Sequence, residues 1–143
     1  MIENSNINTG YLLIAHGALA QEMLNTLEFI AGKQTRFKAV ALDHGLDVDR
    51  AREVVKESIG ELMSDSGVLV FTDLFGGSPS NIALSMLDEI NIEIVAGVNL
   101  PMLIHAVNID DNMPLREKAE KLREYGMSNI FVASEVLAGK RNS

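Results

Sequence analysis

The sequence contains no cysteine among its 143 residues, so disulfide bonds, thiolate catalysis and cysteine-ligated zinc or iron–sulfur sites are excluded. It also has no apolar run of the roughly 18 residues that a membrane-spanning helix needs. Its polar first six residues lack the basic region of a signal peptide. Together these absences favour a cytoplasmic location.

Basic residues are scarce: 12 Lys and Arg stand against 20 Asp and Glu, for a net charge of −8. Because nucleic-acid contacts need clustered basic side chains, this balance argues against a nucleic-acid partner. It suits solubility, or docking onto a basic protein surface. A metal site built from His16, His44 and Asp73 lacks the usual ligand spacings, so we expect no metal and no other cofactor.

Apolar runs of strand length alternate along the chain with segments of helical periodicity. This alternation predicts right-handed βαβ units and a doubly wound open α/β sheet of four parallel strands with helices on both faces. The first and third strands are expected side by side at the switch point. The predicted strands are residues 11–15, 37–42, 68–72 and 92–96, and the predicted helices are 19–31, a segment opened by Asp47, 79–89, 101–107 and 114–126.

The chain length fits one domain with its own core. We divide it into an N-terminal extension (residues 1–10), a single domain (11–134) and a C-terminal tail (135–143). Residues 129–134 are predicted to form a final short strand. Because an uncovered sheet edge is an association hazard, exchange of this strand would protect it. We therefore expect a homodimer in which residues 129–134 of each chain complete the partner's sheet.

Two predicted strands end on residues suited to phosphoryl chemistry. His16 follows the first strand and precedes Gly17, and Asp73 follows the third strand. Because the carboxyl ends of parallel strands share the edge where open α/β sheets bind ligands, the two side chains are expected to meet. Asp73 would accept a hydrogen bond from one ring nitrogen and leave the other nitrogen as a nucleophile. A lone histidine or loop aspartate is more often structural, so the pairing carries this prediction.

The residues after Asp73 predict the start of a helix. Ser78 suits the N-cap position and Pro79 the first helical position, while Gly76 and Gly77 supply a tight turn. Free backbone N–H groups at such a start suit a phosphate. The segment is neither a Walker loop, which needs a lysine, nor a dinucleotide-binding glycine motif.

Other candidate residues carry weaker signals. Asn99 closes the fourth strand and is placed at the rim of the same site. Leu74 and Phe75 lie in a loop, where they either fold back onto the core or form a protein-docking surface. His44, in a turn, and His105, in a predicted helix, are interpreted as structural or exposed rather than catalytic.

The sequence resembles the enzyme IIA domains of the mannose family of the bacterial phosphoenolpyruvate-dependent sugar phosphotransferase system. The resemblance extends from about Tyr11 to Ser134. It rests on three motifs: the pair His16-Gly17, the irregular run Asp-Leu-Phe-Gly-Gly-Ser-Pro-Ser-Asn at 73–81, and Ala-Gly-Val-Asn-Leu-Pro-Met-Leu at 96–103.

This resemblance implies a phosphocarrier. His16 would take the phosphoryl group on Nε2, Asp73 would orient the ring, and Gly77 and Ser78 would hold the phosphoryl oxygens. The donor would be HPr and the acceptor a separate IIB protein that serves sugar uptake, with membrane contact only through a transporter complex. The family also implies a homodimer in which the C-terminal strand pairs antiparallel with the partner's sheet.

The sequence leaves three alternatives to a transport subunit. Ala18 replaces the bulky aromatic of some transport subunits, and no IIB domain follows the motifs, so a free-standing IIA that mainly reports phosphorylation state is the alternative to a transport subunit. A receiver-like domain would need acidic residues after the first strand, where Ala15 and His16 stand. A hydrolase would need a metal or another nucleophile, and Ser78 is assigned to capping.

Overall fold

Four strands form one parallel sheet in the order β2-β1-β3-β4. In the computed structural model, which describes residues 8–43, 45, 47–88 and 91–139, β1 pairs with both β2 and β3, and Leu13 lies between Ala39 and Phe71. The predicted four-stranded parallel sheet, with the first and third strands adjacent, is confirmed. The strands are β1 (Gly10–His16), β2 (Phe37–Leu42), β3 (Val68–Thr72) and β4 (Ile92–Ala96).

Along the described part of the chain, strands and helices alternate up to β4, after which three helices follow in succession, and helices cover both faces of the sheet. Asp47 starts the second helix by accepting the N–H of Asp49 with its side chain, a common N-cap contact. None of the helices in the described ranges is long and apolar enough to cross a bilayer. The helices are α1 (Leu19–Ala31), α2 (Val48–Leu62), α3 (Ser78–Leu84), α4 (Leu100–Asn108), α5 (Leu115–Ser128) and α6 (Ala133–Leu137).

The alternation of side chains along β1 divides the core into two layers. Leu13 belongs to the cluster beneath α1, α4 and α5, whereas Leu12 and Ile14 belong to the cluster beneath α2 and α3. All three side chains are almost fully buried, and burying one such side chain contributes about 1.5–3 kcal/mol. A sheet covered on both faces explains why its strands read as continuous apolar runs.

Two predicted helix ends are wrong. Gly126 does not stop α5 but lies inside it. A Cβ at this position would lie 2.6 Å from Met102 Cε and 3.1 Å from Asn99 Oδ1. The glycine therefore permits close packing of α5 on α4. The third helix ends at Leu84 rather than near residue 89, because its next residues form tighter turns in which amide groups bond three residues back, as Met86 does to Ala83.

The predicted strand at residues 129–134 does not form in this chain. Residues 130–132, which lie in the described part, form no strand, and Ala133–Leu137 is the short helix α6. The carbonyl oxygen of Val132 accepts the N–H groups of Glu135 and Val136, so the backbone turns into a helix where a strand would need cross-strand bonds. A β-prone composition alone does not supply that pairing.

Candidate functional site

The carboxyl edge of the sheet brings together the first and third strands at the switch point of the fold. His16 is the last residue of β1, and Asp73 directly follows β3. The crossover from β1 covers one face of the sheet with α1, while α2 and α3 cover the other. The two strand ends therefore open into a crevice, which is where sheets of this type bind ligands.

His16 and Asp73 are directly hydrogen-bonded. The ring Nδ1 of His16 lies 2.8 Å from Asp73 Oδ2, and the backbone N–H of His16 donates to the same oxygen at 3.0 Å. The backbone N–H of Leu74 donates to the other oxygen, Oδ1, at 2.9 Å. Both carboxylate oxygens are thus engaged, and the predicted contact between the two side chains is present in the structure.

The hydrogen bonds around Asp73 keep its carboxyl group ionised. Burial by itself would raise the pKa of Asp73, but the bonds from the backbone and ring of His16, the N–H of Leu74 and the charge of a protonated ring together lower it below its ordinary value. An ionised carboxylate only accepts hydrogen bonds, so Nδ1 of His16 carries the proton. When the ring is neutral, its lone pair is therefore on Nε2.

Gly77 borders the free side of the imidazole ring. A Cβ built on Gly77 would lie 3.0 Å from His16 Cε1 and 3.5 Å from Nε2, which is closer than ordinary carbon contacts at Cε1. Glycine therefore lets the backbone approach the ring edge that carries Nε2. The neighbouring Gly76 has a φ of +93°, a conformation that side chains disfavour.

The predicted N-cap role of Ser78 is wrong by one position. Gly77, with extended backbone angles, occupies the N-cap; Ser78 is the first residue of α3 and Pro79 the second, and no side chain caps the helix. Ser78 is instead exposed and lines the cleft beside His16. Its hydroxyl has no hydrogen-bond partner among the described residues, so it is available to a bound group.

Ser80, the third residue of α3, is not among the predicted site residues, although its side chain bonds both glycines of the preceding turn. Its side chain is fully buried, and its hydroxyl accepts the N–H of Gly76 at 2.7 Å and donates to the carbonyl of Gly77 at 3.2 Å. The only signal in the sequence is a second serine two residues after the first. That spacing becomes informative once the helix is known to start at Ser78.

A cleft of about 570 Å³ opens beside the ring. His16 and Ser78 line it, and most of its other lining residues are apolar or glycine. In the described ranges no lysine or arginine lines this cleft, and no cluster of three metal-ligating side chains is present. His44, considered for a metal site, lies outside the described residues. The remaining lining residues are Gly17, Leu42, Asp43, Gly45, Val48, Ala51 and Ile82.

The amide of Asn99 is used for helix packing. Its Oδ1 accepts the N–H of Met102, which caps α4, and its Nδ2 donates to the carbonyl of Gly126 at 3.0 Å. Asn99 lies at the predicted edge of the sheet, where its Oδ1 caps α4 and its Nδ2 ties the start of α4 to α5. The structure therefore gives this residue a scaffold role.

Leu74 and Phe75 do not fold back onto the core. The two residues are 58% and 77% exposed and directly follow the aspartate that contacts His16. Two large apolar side chains held in solvent beside a reactive group form a surface that another protein can cover. His105, by contrast, stacks on Tyr125 with ring centroids 4.2 Å apart and does not reach the His16 site.

Residues 10–123 match the family model described as "PTS system fructose IIA component", which covers most of the chain and includes the His16 and Asp73 positions. The chain belongs to this family of IIA components. The resemblance to mannose-family enzyme IIA domains of the phosphotransferase system is thereby confirmed.

Individual relatives agree with this assignment. The PTS system mannose-specific EIIAB component of Escherichia coli K12 is 32% identical over 100 residues, which are 69% of this chain and 31% of that protein. The chain thus spans about a third of that relative's length. The PTS system fructose-specific EIIA component of Bacillus subtilis is 24% identical over 88% of this chain and 87% of its own length.

A solved structure extends the likeness to three dimensions. The PTS IIA protein associated with the fucose utilization operon of Streptococcus pneumoniae superposes with a TM-score of 0.81 at 32% identity, and the match covers 91% of this chain and 96% of that one. The four-stranded parallel sheet with helices on both faces is therefore the fold of known IIA proteins.

Proposed function

We propose that the protein is a phosphocarrier that accepts a phosphoryl group from HPr on His16 and passes it to a separate IIB protein for sugar uptake. One observation carries this proposal. The bond from Nδ1 to the ionised Asp73 leaves Nε2 as the free nucleophilic nitrogen, and the His16 side chain is 50% exposed at an open cleft. An imidazole ring that is fixed through Nδ1 and exposed to solvent suits phosphoryl transfer between two protein surfaces.

In the proposed reaction, the lone pair of His16 Nε2 attacks the phosphorus of phosphorylated HPr. The new N–P bond forms as the bond to the donor breaks, and the proton on Nδ1 stays in its hydrogen bond to Asp73. The ring gains positive charge as it is phosphorylated, and the adjacent carboxylate stabilises that charge. Transfer to IIB then reverses these steps, with a nucleophile of IIB displacing Nε2.

Gly77 and Ser78 are proposed to hold the phosphoryl oxygens. Gly77 is the residue whose missing side chain leaves room near Nε2, and Ser78, the next residue, lines the cleft together with His16. Hydrogen bonds from neutral groups orient the oxygens without a fixed cation. No lysine or arginine of the described chain lines the cleft, which fits a site that holds the phosphoryl group only transiently.

The receiver-like alternative is disfavoured by the surroundings of Asp73. Phosphorylation of an aspartate needs a free carboxylate oxygen as the nucleophile. In this chain Oδ2 accepts two hydrogen bonds from His16 and Oδ1 accepts one from Leu74. The aspartate is therefore better suited to orienting the histidine than to carrying the phosphoryl group.

The protein is further proposed to act in the cytoplasm as a homodimer. Residues 93–96 of β4, an outer strand of the described sheet, line an open cleft beside α5. Ile130 and Val132 are 72% and 58% exposed. We place the exchanged segment at residues 130–132, shorter than the predicted 129–134 because α6 begins at Ala133. Pairing of this segment with β4 of a second copy would cover the open edge.

The test of the phosphocarrier is a labelling experiment. Incubation with phosphoenolpyruvate, enzyme I and HPr should place one phosphoryl group on the protein, and the linkage should be labile to acid and stable to alkali. His16→Ala should abolish labelling and keep the native circular dichroism spectrum. Labelling that persists in His16→Ala would refute the assignment, and a linkage labile to alkali would indicate an acyl phosphate on Asp73.

A further inference from the structure

The turn that faces His16 is closed by one buried hydroxyl. Ser80 lies on α3 with a fully buried side chain, and its Oγ joins the two residues of the turn by accepting from Gly76 N–H and donating to Gly77 C=O. The bond to the amide of Gly76, at 2.7 Å, is short for an N–H donor. This pair of hydrogen bonds links α3 to the backbone that borders the ring.

The backbone of Gly77 lies close enough to the His16 ring for its position to affect the ring. Gly77 approaches so closely that a Cβ would lie 3.0 Å from His16 Cε1. Gly76 has a positive φ of 93°, and two consecutive glycines offer the chain many other conformations. The hydrogen bonds from Ser80 of α3 to this turn therefore favour the conformation in which Gly77 stands beside the ring.

We propose that Ser80 is a positioning residue for phosphoryl transfer, holding Gly77 at the Nε2 side of His16. This inference rests on the proposed phosphocarrier function. Ser80 touches neither the ring nor the proposed phosphoryl group; it acts through the Gly76-Gly77 turn. Removing its hydroxyl would leave binding of HPr intact and would lower the fraction of molecules in which the turn is ready for transfer.

The experiment compares Ser80→Ala with Ser85→Ala. Ser85 also carries a hydroxyl bonded to a backbone carbonyl, that of Ile82 at 2.6 Å, and it also contacts Arg52, but it does not touch the turn. Each variant loses one serine hydroxyl, and the two serines lie only five positions apart in the chain. Rates of phosphoryl transfer from phosphorylated HPr are measured over a range of HPr concentrations, together with hydrogen exchange of the Gly76 amide.

For Ser80→Ala we expect a maximal transfer rate about tenfold lower, as for loss of two modest hydrogen bonds, at an unchanged half-saturating HPr concentration. Exchange of the Gly76 amide should accelerate by a similar factor. Ser85→Ala should match the wild type in both measurements. A wild-type maximal rate in Ser80→Ala, or an equal loss in Ser85→Ala, would overturn the inference.

A second variant covers the case in which Ser80→Ala does not fold. Ser80→Cys nearly preserves the buried volume but forms weaker hydrogen bonds, so it should also show a lowered maximal rate, and a wild-type rate would overturn the inference. Absence of labelling in the wild-type protein would refute the phosphocarrier proposal instead. Gly76 amide exchange in the variants would then still show whether Ser80 closes the turn.

Discussion

Adding a single methyl group at Gly77 should impair phosphoryl transfer while leaving the fold intact. The backbone angles of Gly77, φ −87° and ψ 176°, are ones that alanine adopts freely. The new Cβ would nevertheless lie 3.0 Å from His16 Cε1 and 3.5 Å from Nε2. Since carbon atoms normally pack at about 3.5–4.0 Å, the ring or the turn must move by roughly half an ångström or more.

The size of the effect follows from that displacement. Misplacement of a reacting group by about 1 Å can cost on the order of a hundredfold in rate, so Gly77→Ala should slow phosphoryl acceptance by roughly ten- to hundredfold. Thermal unfolding should stay close to that of the wild type, because the His16 ring is half exposed and can shift without opening the core.

Gly60→Ala is the matched control. Gly60 lies near the end of α2, nothing stands within 4 Å of a Cβ built there, and its φ is not positive. Alanine within a helix should stabilise the protein by about 0.5–1 kcal/mol, with no change in transfer rate. Quench-flow measurement of labelling by phosphorylated HPr provides the assay. A wild-type rate in Gly77→Ala would refute the account of the ring's surroundings.

Three further predictions test other parts of the account. Asp73→Asn should fold but transfer phosphoryl groups about ten- to hundredfold more slowly, as expected for loss of a charge-assisted hydrogen bond; unchanged kinetics would reduce Asp73 to a loop cap. The pKa of Asp73 is lowered in the folded protein, so its contribution to stability is fully present above the unfolded value of about 3.9 and is lost as pH falls through the lower folded pKa. The difference in unfolding free energy between wild type and Asp73→Asn should therefore shrink in acid, and a constant difference in urea titrations from pH 7 to pH 3 would contradict this. Removal of residues 130–143 should convert a dimer into a monomer or an aggregate by light scattering, and a stable monomer for the intact protein at micromolar concentration would refute the proposed assembly.

The sheet and the meeting of His16 with Asp73 were predictable from the sequence. Apolar runs of five to seven residues identify buried parallel strands, and parallel strands bring their carboxyl ends to one edge. Once the first and third strands are adjacent, a histidine at the end of one and an aspartate after the other must be neighbours. The structure adds the atomic contacts: Nδ1 is bonded to Asp73, and Nε2 lies on the side of the ring that Gly77 borders.

What the sequence did not predict depends on close approaches between distant segments. The sequence pattern predicts that Gly126 ends a helix, yet its Cα packs closely against Asn99 and Met102 at the start of α4. Local patterns do not distinguish a glycine that ends a helix from one that permits close packing. Ser78 looked like a cap, but Gly77 takes the extended conformation and moves the helix start by one residue. The two hydrogen bonds of Ser80 depend on that shift, so the sequence pattern did not predict them either.

The C-terminal segment shows a different limit. A run of β-branched and aromatic residues predicts a strand, but a strand forms only where a partner offers backbone groups. Within this chain the carbonyl of Val132 accepts two amide groups of the following residues, and α6 results. Propensity therefore located an unusual, exposed apolar segment without determining its conformation.

The central claim is that phosphoryl transfer proceeds through Nε2 of His16 while Nδ1 remains bonded to Asp73. Its most direct test is NMR of the phosphorylated protein with ¹⁵N-labelled histidine, in which coupling to ³¹P identifies the substituted nitrogen. The account predicts a phosphoryl group on Nε2 of His16 and a proton retained on Nδ1. A phosphoryl group on Nδ1, or an acyl phosphate on Asp73, would contradict it.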